Sequence, residues 1–451
     1  MLGTGLGIYL PVVLYVGFLA GCLLAIAWRP TIGLYILILA IPQQGPRYRI
    51  GYLPLGKHLI VLLLLCVFIG VLIRGYSFPR STLNKVLILF CAFIFFSFWW
   101  GVLSASVTAP FIERFYHWKD YMALPALFFA TSATIRTRKQ LGTALALVCI
   151  SVLLVGRGFG LEIRQHDFAH FDENKRDSGP LGLGSNNTAA FEAEMSLVLL
   201  AIAIGQKKRA RKIFLYGILA LSLFCLLFSF SREAYVAFLV SLMAMALIRR
   251  RLLGFVVPAL VVLLLAWRLV LPQAVTERIS MTEDSTGQLD SSAASRLELW
   301  SDAAELIASN PIVGSGYDTY EYMGRVGSLR DTHNYYVKAM VETGVIGLFI
   351  FLAIVVKFFQ TSWTLLKRTQ DPLFSSLGLG MVLCTVCIIV VNFFGDRWTY
   401  VELNGLVWVL FGLVAYAHSE LDSAELATAH QTASAQIRGA FAERTLSRVP
   451  S

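Results

Sequence analysis

Charge is what this sequence has least of. Only 15% of its 451 residues are Asp, Glu, Lys or Arg, against 57% hydrophobic, and the mean hydropathy is +0.68. That balance excludes a soluble enzyme and places the chain in the multi-spanning membrane class. Cysteine is absent from every polar stretch: all seven (Cys22, Cys66, Cys91, Cys149, Cys225, Cys384, Cys387) lie inside apolar runs, where the residue packs as a small hydrophobe. A disulfide framework is excluded, and the Cys384-x-x-Cys387 spacing reads as packing, because no His or acid accompanies it. There is also no Asp-x-Asp, and no His/carboxylate cluster with metal-ligand spacing around Arg232, Arg296 and His333, so no metal or other cofactor is expected.

What is there instead is a succession of apolar runs long enough to cross hydrocarbon, which takes about 20 helical residues. They fall near 6–27, 58–73, 83–103, 120–134, 141–156, 189–204, twice between 213 and 248, then at 252–270, 334–357, 374–394 and 403–418. Thr31–Pro42 is apolar but too short by itself. The expected fold is an all-α polytopic membrane protein of about 12–13 transmembrane helices, with one long outer loop containing short amphipathic helices. Its expected divisions are N-terminal helices 1–270, outer loop 271–332, C-terminal helices 333–418 and a polar tail 419–451 on the inner side. No run reads as a cleaved signal peptide. The tail, rich in Ala and Ser, is expected to be weakly helical or disordered.

The net charge of +10 is a matter of topology rather than nucleic acid, because the basic clusters fall between spans. Lys207-Lys208-Arg209-Ala210-Arg211-Lys212 and Arg249-Arg250-Arg251 are the strongest inside markers. They flank two helices whose turn, Phe230-Ser231-Arg232-Glu233, therefore lies at the outer surface. One further span puts 271–332 outside too, and that loop carries four Arg against ten acids.

Within it, Ala293–Ala308 has apolar residues at 297, 300, 304 and 307, the spacing of an amphipathic helix. Asn310-Pro311 ends that helix, and Gly314-Ser315-Gly316 adds a tight turn. His333 opens the next span, with Lys338 and Glu342 below it, and ionisable residues inside a span mark an internal site by default. A second polar excursion, 157–184, contains Arg164, His166, Asp167, His170 and Arg176. Ser185-Asn186-Asn187-Thr188 after it reads as an N-cap cluster. Arginines suit phosphate or diphosphate through their planar fork, and a neutral His accepts a proton from a hydroxyl near pH 7.

Ser231-Arg232, Ser295-Arg296-Leu297-Glu298-Leu299-Trp300, Asn310-Pro311-Ile312-Val313-Gly314-Ser315-Gly316 and His333-Asn334 with Glu342-x-Gly344-x-x-Gly347, in that order, resemble the O-antigen ligase and O-antigen polymerase superfamily of bacterial inner-membrane glycosyltransferases. The resemblance implies transfer of a glycan from undecaprenyl diphosphate to an acceptor hydroxyl on the periplasmic side, without metal and with inversion. His333 would be the base and Arg232 and Arg296 the diphosphate ligands. Arg325, Arg330, Arg164 and His166 are further candidate substrate contacts. The expected acceptor is the lipid A core, as for a ligase. A polymerase extending another lipid-linked glycan is the alternative, followed by a protein O-oligosaccharyltransferase and a polysaccharide transporter without chemistry. The implied partners are the lipid-linked donor, the acceptor and the bilayer, with no nucleic acid.

Overall fold

The computed structural model describes residues 3–44, 50–104, 110–165, 170–172, 176–281, 291–325 and 332–446, with side chains throughout except those of 3–9, 291–297 and 427–446. The described residues form sixteen α-helices and no strand: α1 Gly3–Ala27, α2 Pro30–Ala40, α3 Leu59–Ile73, α4 Thr82–Ser104, α5 Phe111–Thr134, α6 Arg138–Ile163, α7 Ser185–Gly205, α8 Arg209–Leu227, α9 Arg232–Ile248, α10 Leu253–Val270, α11 Gln273–Ser280, α12 Ser291–Ser309, α13 Tyr320–Met323, α14 Tyr335–Arg368, α15 Pro372–Val391 and α16 Val401–Leu446. The chain is an all-α multi-pass membrane protein.

Ten of these helices are long and apolar enough to cross a membrane. Of the 12–13 crossings expected, α5 misses because charges crowd its first half, and α9 because it has only 17 residues. Helix α2, at 11 residues, is too short alone. Its ends are nevertheless pinned at opposite faces of the bundle. The Gln140 side chain donates to Thr31 at 3.5 Å at the start of α6, while the Gln44 N–H donates to Pro180 O at 2.9 Å beside the start of α7. The chain thus passes through the bundle at α2, using the irregular residues beyond it to complete the depth.

Helices α7, α15 and α16 form the centre, with 83%, 78% and 83% of their apolar windows buried, whereas α10 has none and lies at the edge of the bundle beside α9. In lipid, such contacts are stabilised by close packing rather than by release of water. Cys384 and Cys387 are free and fully buried in α15. Helix α7 also buries Glu192 and Glu194, and Ser222 donates to Glu192; the sequence reading passed over both acids. Of the two states expected for the tail, weak helix or disorder, its described residues show helix, because α16 continues as one helix to Leu446. Its Ala and straight-chain residues lose little rotamer freedom in a helix, and Arg368 anchors the first turns past the bundle through Asp422 and Glu425 at 2.8 and 2.7 Å.

Two faces result. Gly205 packs against Ser376 and Pro372, which puts the Lys207–Lys212 cluster beside the α14–α15 turn on what we term the basic face. The starts of α7, α9, α14 and α16 gather at the other, the loop face.

Candidate functional site

The loop face is built around a break in α14. Gly344 has φ 63° and ψ −169°, a conformation essentially restricted to glycine, and the break frees backbone groups on either side. The Asn310–Gly316 turn fills it. Ser315 N–H donates to Val341 O at 2.9 Å, Gly316 N–H to Glu342 O at 2.8 Å, and Val345 N–H to Pro311 O at 2.9 Å. Both glycine motifs of the sequence are therefore two halves of one backbone joint. Helix α4 closes it, since Trp100 Nε1 donates to Gly314 O at 3.1 Å and Tyr317 N–H to Ser97 O at 3.1 Å.

Helix α12 rests on the first segment of α14, but not by the expected face. Leu299 and Ala303, with Leu306 and Ile307, pack on Val341, Val337 and Tyr320, so Ile307 of the expected stripe is kept, 300 and 304 give way to 299 and 303, and the side chain of 297 lies outside the described residues. The cause is Trp300, which stays at the edge because its Nε1 donates to Thr332 O at 3.0 Å. That bond fixes the strand leading into His333. Arg296 lies one helical turn before Trp300 on α12; its side chain is outside the described residues, as are Arg330 and His166.

His333 sits at φ 49°, a left-handed turn that reverses the chain just before α14. Asn334 then caps α14, its Oδ1 accepting from Tyr336 N–H at 2.9 Å and Val337 N–H at 3.3 Å. The expected cap cluster at Ser185–Thr188 does something else. Gly184 is the N-cap and no side chain caps α7. Asn186 instead accepts from Arg176 at 2.6 Å, Asn187 accepts from Arg397 at 2.9 Å, and Thr188 donates to Ser178 O at 2.6 Å. With neighbouring segments offering charged donors, tertiary bonds win over local capping.

The segment 392–400 brings the parts together. Tyr335 N–H donates to Asn392 O at 2.9 Å, and Asn392 Oδ1 accepts from Arg397 N–H at 3.1 Å. The Arg397 guanidinium, 8% exposed, reaches Asn187 on α7 and pairs with Glu233, 7% exposed, on α9. Lys338 pairs with Asp396 at 3.0 Å. Burial alone would raise the Asp396 carboxyl, but Lys338 and the bonds from Thr399 outweigh it and hold the group below the usual carboxylate range. The structure thus joins the start of α9, with Arg232 as its first residue, to the start of α14, with His333 just before it. An ionisable pair between two apolar runs was the available signal.

Arg232 stands at the rim of a cavity of about 520 Å³ formed by α8, α9, α10 and α11, and among its described lining residues it is the only charged one; Leu226, Phe238, Leu264 and Trp267 are typical of the rest. Phe171 and Arg176 of the 157–184 excursion lie against neighbouring elements of this region. Phe171 packs edge-on against Phe230, its N–H donates to Glu277 on α11 at 2.9 Å, and Arg176 donates to Ser229 O at 3.2 Å. Arg164 is exposed at the end of α6. Arg325 is bonded to Asp302 at 2.5 Å and Glu305 at 3.0 Å on α12, an arrangement that staples the loop to itself.

One constellation was invisible to spacing. His117 on α5, Asp318 and Glu321 lie close enough for three donor atoms to face one metal ion, although no metal is expected from the sequence. His117 Nδ1 is already 2.9 Å from Asp318 Oδ2, and the bond from Asp318 raises the His117 pKa above its ordinary value. As built, the group is an ion pair tying α5 to the loop.

Residues 217–352 match a family model described as O-antigen ligase. No curated protein matches the chain. The matched stretch contains Arg232, all of α12, the glycine joint and His333, so it coincides with the elements that build the loop face.

Proposed function

From the premise that this chain belongs to the O-antigen ligase and O-antigen polymerase superfamily, we propose that its loop face transfers a glycan from undecaprenyl diphosphate to an acceptor hydroxyl, acting as an O-antigen ligase with a lipid A core acceptor. The loop face is then periplasmic and the membrane the bacterial inner membrane. The observation that carries the reading is the apolar cavity with Arg232 at its rim, on the face where His333 opens α14. An apolar groove ending in a guanidinium suits a lipid tail ending in a phosphate group.

In this reading the diphosphate is held by Arg232 and Arg296. The acceptor oxygen attacks the anomeric carbon, the bond from that carbon to the diphosphate oxygen breaks, and undecaprenyl diphosphate leaves with the electron pair. His333 takes the hydroxyl proton. The arginines act where charge develops on the leaving group, which is the kind of fixed electrostatic help that dominates many enzymes. A single displacement inverts the anomeric centre.

The test is transfer by the purified protein from an undecaprenyl-diphosphate-linked glycan, with chelator present and with either lipid A core or a second lipid-linked glycan as acceptor. His333→Ala should slow transfer by about 10²–10⁴-fold, and Arg232→Ala should raise the donor KM. Transfer to the lipid-linked glycan alone would reassign the protein as a polymerase. Full activity in His333→Ala, or retained anomeric configuration, would overturn the mechanism.

A further inference from the structure

A second, larger cavity opens on the loop face, away from the apolar one. Its volume is about 800 Å³, and its described lining includes Gln44, Tyr52, Lys57, Asp120 and Glu402. Its wall is mixed where that of the Arg232 cavity is almost wholly apolar: polar side chains share it with Leu59, Ile60, Val61, Ala123 and Val401. Two carboxylates, Asp120 on α5 and Glu402 in the first turn of α16, face it together with an amide and an ammonium. Asp120 is 55% exposed beside Lys119 at 3.0 Å, and the Tyr52 ring is 72% exposed.

The position of this cavity links it to the site already described. Asp120 directly precedes Tyr121, whose hydroxyl lies 2.8 Å from the Tyr335 hydroxyl, two residues from His333. Glu402 follows the 392–400 segment that holds Arg397 and Asp396. Gln44 is tied to the α6–α7 excursion through its N–H bond to Pro180 O. The two cavities share none of their described lining residues; this one reaches the start of α14 through Tyr121 and Tyr335, the other through Glu233 and Arg397.

Carboxylates repel a diphosphate but accept paired hydrogen bonds from hydroxyls. An exposed tyrosine offers a broad, rigid face with a polar tip, and the volume falls within the range of ordinary small-molecule sites. We propose that this cavity seats the acceptor sugar, the unphosphorylated, hydroxyl-rich end of the glycan onto which the chain is transferred. The proposal rests on the transferase reading and adds to it where the second substrate sits and what chemistry that substrate presents.

The experiment titrates the full chain in nanodiscs with the neutral oligosaccharide released by mild acid from the producing strain's own surface polysaccharide, read by calorimetry. Tyr52→Ala and Asp120→Asn, both at exposed positions, should weaken binding by about 10–100-fold, the loss expected when hydrogen bonds to a charged group are removed. Saturating undecaprenyl phosphate should not displace the sugar. In transfer assays the same variants should raise the acceptor KM and leave the donor KM unchanged. No binding by the wild type, equal binding by the variants, or displacement by undecaprenyl phosphate would overturn the assignment. Sugar binding that depends on Tyr52 and Asp120, without any transfer from the lipid-linked donor, would leave the sugar site standing and remove the transferase reading. Transfer with an unchanged acceptor KM in both variants would do the reverse.

Discussion

Replacing Gly344 by alanine tests whether the glycine motifs are a structural joint. At φ 63° and ψ −169°, an alanine there carries roughly 1–3 kcal/mol of backbone strain. Its Cβ would also lie 2.3 Å from Ile312 O and 2.6 Å from Val313 N. Those atoms are backbone, fixed by the bonds from Val345 and Ile346 to Pro311 and Ile312, and cannot rotate away. Overpacking of that kind adds about 1–3 kcal/mol, so the total is roughly 2–6 kcal/mol. That is a large part of the about 5–15 kcal/mol that holds a typical domain together. Gly142, inside α6 with nothing within 4 Å of an added Cβ, is the control, and its alanine should be neutral or stabilise by about 0.5–1 kcal/mol. Unfolding in mixed micelles, followed by circular dichroism, gives both values, and limited proteolysis of the 271–332 loop reports whether the joint opens first. A Gly344→Ala protein within about 1 kcal/mol of wild type and with an equally protected loop would refute the reasoning, because neither strain nor overlap would then be present.

Three further outcomes are expected. Arg397→Met leaves Glu233 buried without its guanidinium and should cost about 3–5 kcal/mol, while Arg397→Met with Glu233→Leu should recover much of that; equal losses in the single and double variants would show that the pair is not coupled. The His117–Asp318 bond raises the folded-state pKa of His117, so its stabilisation is full below the ordinary histidine value of 6.5 and fades as pH rises through the folded value. Asp318→Asn keeps a residue that tolerates the left-handed backbone and should flatten melting temperature against pH in that window; an unchanged profile would count against the ion pair. Because Arg325 is more than a third exposed and bonded to two acids, Arg325→Ala should cost at most about 1 kcal/mol, and a loss of several would point to a role beyond the staple.

The sequence alone determined the membrane class, the approximate place of nearly every helix and the face on which the polar loop lies. It could do so because the cost of placing a polar backbone or side chain in hydrocarbon is charged residue by residue and leaves a local trace. It also carried the motifs from Arg232 to Gly347, which lie within the stretch that matches the family model. Tertiary structure decided the rest. Periodicity placed a helix at 293–308 but not which stripe it buries, since Trp300 turns it by its bond to Thr332. Local propensity assigned a cap to Ser185–Thr188, yet Asn186, Asn187 and Thr188 serve Arg176, Arg397 and Ser178, and no side chain caps α7. Arg397 finds Glu233 164 residues away, and His117 finds Asp318 at a separation of 201. No window of sequence holds both partners of such pairs. Only the packing of α7, α9, α15 and α16 brings their ends together on one face, and with them the residues that line the two cavities.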